Sequence, residues 1–170
     1  MELAATEEPV TRLPEELDQV FQAHHSLVFR AAYRVTGNES DAEDVLQTVF
    51  LRLLGRDCSA PPLENLSGYL HRAAVNAALD LVRARRNQPA ADLPGGSRGA
   101  NHELRDLIRR SLALLPPRSA EIFALRFLEG YTNGEIARML GMSQVRIAVT
   151  IHRVRRQLQR EIRMGLGVRS

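Results

Sequence analysis

The 170-residue chain has no tryptophan and no lysine, a single cysteine, and only 5% aromatic residues. Each shortage excludes something. One thiol, Cys58, cannot form an intrachain disulfide, nor can it supply the sulfur ligands of a Cys-based zinc site. Such usage fits a reducing, cytoplasmic setting. No window reaches the run of about 18 apolar residues that a membrane helix needs, so no membrane insertion is expected. The opening stretch MELAATEEPVTRLPEELD is acidic and has no apolar centre, which argues against a secretory signal. His24 and His25 are adjacent, and adjacent side chains on a helix diverge by about 100°. His24 also falls on the apolar face, where a packed or edge histidine is expected. No metal site and no cofactor are expected.

What is present points to a soluble globular protein, at 44% hydrophobic residues. The length allows one domain or two small ones. All 23 basic residues are arginine. Residues 1–64 carry 5 arginines against 12 acids, a net of −7, and residues 65–170 carry 18 against 8, a net of +10. Arginine offers a planar fork that suits phosphates and guanine edges. The asymmetry suggests an acidic face for one partner and a basic face for nucleic acid, although solvated helix faces would produce the same pattern.

The apolar spacing is helical almost throughout. Leu17, Val20, Phe21, Val28, Ala31 and Val35 share one face, and Gly37-Asn38 ends that helix. Ser40 and Glu43 have capping-box spacing, so a second helix is expected from Ser40 to about Leu54. A loop containing Pro61-Pro62 follows, then a helix from about Ser67 to Arg86. NQPAADLPGGSRGAN reads as a flexible linker. Beyond it Pro116-Pro117 separates two helices, the second running to about Glu129. Thr132 and Glu135 form another capping box, GMS makes a turn, and Ser143 caps a helix to about Arg163. The expected fold is all-α, two small helical domains joined by a flexible linker. The expected boundaries are a tail at 1–14, domains at 15–87 and 103–166, and a linker at 88–102. The short helix, turn and long basic helix make a helix-turn-helix pattern in the second domain.

Helical wheels place candidate contacts. In the last helix Ile147, Ile151, Val154 and Leu158 form the buried stripe. Arg146, Thr150, Arg153 and Gln157 lie about 100° around, beside Val149, Arg156 and Arg160. Residues 143–170 hold 7 arginines and 1 glutamate, suited to the DNA major groove. A helix that only neutralises the acidic domain is the alternative. In the third helix Leu66, Leu70, Ala73, Ala74, Ala77 and Leu81 face inward, opposite Tyr69, Arg72, Asn76, Asp80 and Arg83. A ring, an amide and cations together suit single-stranded nucleic acid. A half-covered tyrosine beside an Asp80–Arg83 pair fits that face equally well. The stretch SDAEDVLQTVF sets Asp41, Glu43 and Asp44 in a first helical turn, where acids favour the macrodipole. Asp44, Gln47 and Leu51 then share an outward face, a mixed patch suited to a basic helical partner. Catalysis fits poorly, because three adjacent helical carboxylates point apart and no histidine sits at matching spacing.

Three stretches in order carry a resemblance: LVFRAAYRVTGNESDAEDVLQTVFLRLL, GYLHRAAVNAALDLVRARR, and LALLPPRSAEIFALRFLEGYTNGEIARMLGMSQVRIAVTIHRVRRQL. The chain resembles an RNA polymerase sigma factor of the extracytoplasmic-function (ECF) group, sigma-70 superfamily, across regions 2 and 4. The resemblance implies a non-enzymatic alternative sigma factor that binds core RNA polymerase and directs promoter-specific initiation. It assigns docking on the clamp helices of the largest polymerase subunit to Asp44 and Gln47, with Glu43 and Leu51 beside them. It assigns capture of unpaired −10 bases to the loop from about Gly55 to Leu66, to Asn76 and to neighbouring arginines, giving Tyr69, Arg72, Asn76, Arg83 and Arg86. It places −35 reading on Ser143, Arg146, Val149, Thr150, His152, Arg153 and Arg156. Promoter DNA and an anti-sigma protein are the further expected partners of a chain that is monomeric when free.

Departures from the family pattern are specific. Tyr69 stands where a tryptophan is common. Ala148 and Thr150 replace two basic positions of the recognition helix, Val149 replaces a serine, and Arg146 stands where threonine is frequent. These imply either a different −35 sequence or weaker binding by region 4. The pattern otherwise matches a minimal two-domain form. Two rivals stay open beside it: a stand-alone helix-turn-helix regulator, and a decoy that keeps the fold and binds an anti-sigma protein.

Overall fold

The structure, a computed structural model, describes residues 12–56, 63–86 and 100–165. Among these residues seven helices and no strands form. They are α1 (Arg12–Thr36), α2 (Glu39–Leu54), α3 (Leu66–Arg86), α4 (Ala100–Leu114), α5 (Pro117–Phe127), α6 (Asn133–Leu140) and α7 (Gln144–Gly165). The expected linker lies mostly outside the described residues, and α4 begins at Ala100, before the expected start near Glu103.

Gly37 ends α1 in the left-handed region at φ 63°, a conformation open to glycine at little cost. The chain then enters α2 through Asn38, whose side chain accepts a hydrogen bond from the Asp41 amide at 3.0 Å. The cap is therefore Asn38, and Ser40 lies inside the first turn. Both residue types cap well. The left-handed turn decides between them by leaving Asn38 extended, at φ −134° and ψ 133°. In the second half, the Thr132–Glu135 capping box forms as expected. Gly141 closes α6 at φ 62°, and Ser143 Oγ accepts from the Arg146 amide at 3.3 Å to start α7.

α1, α2 and α3 pack together around Val28, Ala31, Val35, Ala42, Val45, Val49, Leu70 and Ala74, all buried. Leu112, Ile122, Leu125, Ile136, Ile147 and Val154 fill the space between α4, α5, α6 and α7. Burying a side chain of this size contributes about 1.5–3 kcal/mol before entropy is counted. The two cores join through α3, which packs on α1 and α2 with one side and on α4 and α5 with another. This corrects the wheel reading of α3, whose buried set extends to His71, Val75, Ala78 and Leu79. A single apolar stripe describes a helix with one neighbour, and α3 has four.

Candidate functional site

α2 presents its candidate docking face to solvent. Ala42, Val45, Val49 and Phe50 anchor the helix inward, leaving Glu43, Asp44 and Gln47 exposed. Leu51 is 66% exposed on the same side. The structure adds Leu54, 53% exposed and one turn further on, which sequence reading had treated only as the helix end. Residues 44, 47, 51 and 54 follow the 3–4 spacing of a single stripe, so the signal for Leu54 was present.

The three acids of the turn are not equivalent. Asp41 is buried and pairs with Arg85 from the end of α3. Burial pushes its carboxyl above the ordinary range, and the Arg85 guanidinium works in the opposite direction. Asp41 thus ties α2 to α3, while Glu43 and Asp44 stay available. Asp80 and Arg83 pair along α3 at 3.3 Å.

Two of the residues expected to take up −10 bases, Arg72 and Asn76, are engaged by the second domain. Arg72 Nε donates to Glu121 Oε1 of α5 at 2.5 Å, and Asn76 Nδ2 donates to the same oxygen at 2.9 Å. Arg118 of α5 reaches the other oxygen at 3.0 Å and the Leu140 carbonyl at 3.1 Å. Glu121 is only 3% exposed. Burial alone would raise its carboxyl, but the bonds from Arg72, Asn76 and Arg118 outweigh it and hold the group below the usual range. A second carboxylate closes the same seam. Glu129, with a fully buried side chain, accepts from Arg34 of α1 at 2.8 Å and from His71 of α3. Tyr131 completes this set at 2.6 Å from His71 Nδ1. Burial, with Glu129 and Glu135 nearby, raises the phenol and keeps it protonated. Sequence reading missed Glu121, Glu129 and Tyr131 as partners of α3, since no local pattern reports a contact 45 or more residues away.

Tyr69 is half-buried with the Arg56 guanidinium 5.7 Å from its ring centre, and Arg86 is exposed. Part of the loop expected to hold −10 bases, residues 57–62, lies outside the described residues.

The recognition helix is open. Ile147, Ile151, Val154 and Leu158 are buried as the wheel requires. Ser143, Arg146, Val149, His152, Arg153 and Arg156 are exposed, and Thr150 is half-buried with its hydroxyl donating to the Arg146 carbonyl at 2.8 Å. Arg160 and Arg163 continue the cationic edge. On the flank Phe127 is 45% exposed, with the Arg126 and Arg155 guanidinium groups 5.8 and 5.9 Å from its ring centre. Among the described residues no helix is long and apolar enough to cross a membrane.

Comparison with known proteins matches two stretches of the chain to one family. Residues 20–88 match the family model for Sigma-70 region 2, and residues 105–158 match that for Sigma-70, region 4. The chain is 31% identical to the ECF RNA polymerase sigma factor SigE of Mycolicibacterium smegmatis, over 84% of this chain and 60% of that protein. It is likewise 31% identical to the ECF RNA polymerase sigma factor SigM of Mycobacterium tuberculosis, over 84% of this chain and 75% of that one. Its fold resembles that of the sigma factor RpoE, solved in complex with the anti-sigma factor NepR from Bartonella quintana. There the TM-score is 0.54 at 18% identity, covering 88% of this chain and 98% of that one. The two matched regions, and the identity across three quarters of SigM, make the chain a member of the ECF sigma factors of the sigma-70 family.

Proposed function

We propose that the chain is an alternative sigma factor working in the cytoplasm, with no catalytic chemistry of its own. It docks on the clamp helices of core RNA polymerase through α2, captures −10 bases with α3 and reads a −35 element with α7. An anti-sigma protein is its expected regulator, as NepR is paired with RpoE in the similar structure. The observation that carries this reading is the α2 face: Asp44, Gln47, Leu51 and Leu54 stand exposed in one stripe on a helix anchored by its other side. Exposing two leucines beside an acid and an amide makes sense for a surface that another protein covers. Arg72 and Asn76 support −10 capture only once Glu121 releases them, so strand capture requires α5 to leave α3.

The test is co-elution of the full chain with core RNA polymerase on size exclusion. An Asp44→Arg, Gln47→Ala double variant should fold normally and lose the complex. Absence of binding by the folded wild type would refute the sigma reading and leave the stand-alone regulator or the decoy.

A further inference from the structure

The departures in the recognition helix leave an exposed apolar pair with no stated target, Val149 of the expected −35 set and Val145 beside it. Val145 is 72% exposed and Val149 is 43% exposed, in the first turns of α7. A wheel centred on Ile147, Ile151, Val154 and Leu158 sets both diametrically opposite the core, on the line that also carries Arg156. Arg146, His152, Arg153 and Arg156 are exposed around them. Valine here serves neither burial nor helix stability, since β-branched residues are weaker helix formers than alanine. The surrounding guanidinium groups suit phosphates, which would bring this line of the helix against base edges in the major groove.

The major-groove edges of guanine and adenine offer hydrogen-bonding groups and that of cytosine an amine beside a bare C5–H, whereas thymine presents a 5-methyl. An isopropyl group against guanine N7 or O6 would strip water from them without replacing the bond. We propose that Val145 and Val149 are specificity-determining residues that read thymine methyl groups in the −35 element. This rests on the proposed reading of α7 as the −35 helix. Residues i and i+4 are about 6 Å apart along the helix, and base pairs are stacked about 3.4 Å apart. The two valines therefore cover two thymines, on either strand, within three successive base pairs. The Thr150 hydroxyl proton is already engaged by the Arg146 carbonyl, so this side chain offers a base edge only an acceptor.

The test uses the full chain and a pool of 24-base-pair duplexes randomised at their centre, enriched by repeated binding. The enriched duplex is then made with thymine, and again with deoxyuridine, which lacks only the methyl. The expected consensus has two thymines within three base pairs. The uracil duplex should bind about 9- to 25-fold more weakly, about three- to fivefold for each methyl. A Val145→Ala, Val149→Ala variant should bind the two duplexes within about twofold of each other. Arg156→Ala should weaken both and keep their ratio. Equal binding of both duplexes by the wild type, or a consensus without thymine in that window, overturns the proposal and leaves the −35 reading standing. Failure to enrich any duplex overturns both.

Discussion

Replacing Glu121 by alanine should release the proposed −10 face of α3. The cross-domain part of its contacts is one ion pair to Arg72 at 2.5 Å and one hydrogen bond from Asn76 at 2.9 Å. Arg72 is 37% exposed on its side chain, so it rehydrates when the carboxylate is removed, and its pair is worth about 0.5–1 kcal/mol. The Asn76 bond adds about 1 kcal/mol. The sum, about 1.5–2 kcal/mol, shifts a closed–open equilibrium by about 13- to 30-fold. While the closed form dominates, apparent affinity for a single strand rises by the same factor, because it scales with the open fraction. The assay is fluorescence anisotropy of a labelled single-stranded oligonucleotide on the full chain without polymerase. Small-angle scattering in parallel should show a larger radius of gyration. Arg118→Ala is the control, since Arg118 bonds only within the second domain and should leave affinity nearly unchanged. If Glu121→Ala is folded and binds the oligonucleotide no better than wild type, the closed seam does not occlude strand capture.

The same contact carries a pH signature. Glu121 is held below its ordinary value of 4.5, so its contribution is fully present above that pH and is lost as pH falls through the depressed value. Wild-type strand affinity should therefore stay flat from neutrality to about pH 5 as far as this group is concerned. A midpoint near neutrality assigned to Glu121 would contradict the geometry.

Further expectations can be checked on single variants. Ile147→Ala should cost about 2–5 kcal/mol in urea unfolding, because Ile147 is fully buried, whereas Val149→Ala should stay within about 0.5 kcal/mol. Asp41 has a raised carboxyl, so folding is favoured by its protonation and that advantage fades as pH rises from 3.8 through the raised value. Asp41→Asn should remove this component, and thermal melts from pH 3.5 to 6 would show wild type and variant diverging with pH. Leu54→Ser should leave the melting temperature unchanged and weaken co-elution with core polymerase, since the side chain is 53% exposed.

Local signals were legible where one residue type had one structural solution. The α7 stripe is an example, since Ile147, Ile151, Val154 and Leu158 suit only a buried seam, and Ser143 stands where a cap is required. The Thr132–Glu135 box is another. Legibility failed where two neighbours could serve one role. Asn38 and Ser40 both cap, and the choice lies in the left-handed turn at Gly37. Asp41, Glu43 and Asp44 look alike in sequence, yet one is buried on Arg85 and two face water, because the helical phase separates them by about 100° per residue. The α3 face failed for a different reason. Its polar residues are suited to nucleic acid, but the same amide and guanidinium also suit a carboxylate, and Glu121 lies across a linker whose path no periodicity describes.

The two proposed DNA-reading faces therefore have opposite status in one molecule. α7 keeps Arg146, His152, Arg153 and Arg156 exposed, and α2 keeps Asp44, Gln47, Leu51 and Leu54 exposed. Arg72 and Asn76 on α3 are held by a buried carboxylate. A cationic face with an amide binds any single strand, RNA included, because phosphates and base edges are common to all. In a chain with 23 arginines such binding would compete with promoter search. A carboxylate offers the arginine and the asparagine the acceptor that a strand would otherwise provide, and it is covalently tethered, so a free strand must displace it. The proposed duplex reading by α7 and docking by α2 need no such displacement. If Arg72 and Asn76 capture the strand, docking and −35 contact can precede capture, and whatever separates α5 from α3 sets when capture begins.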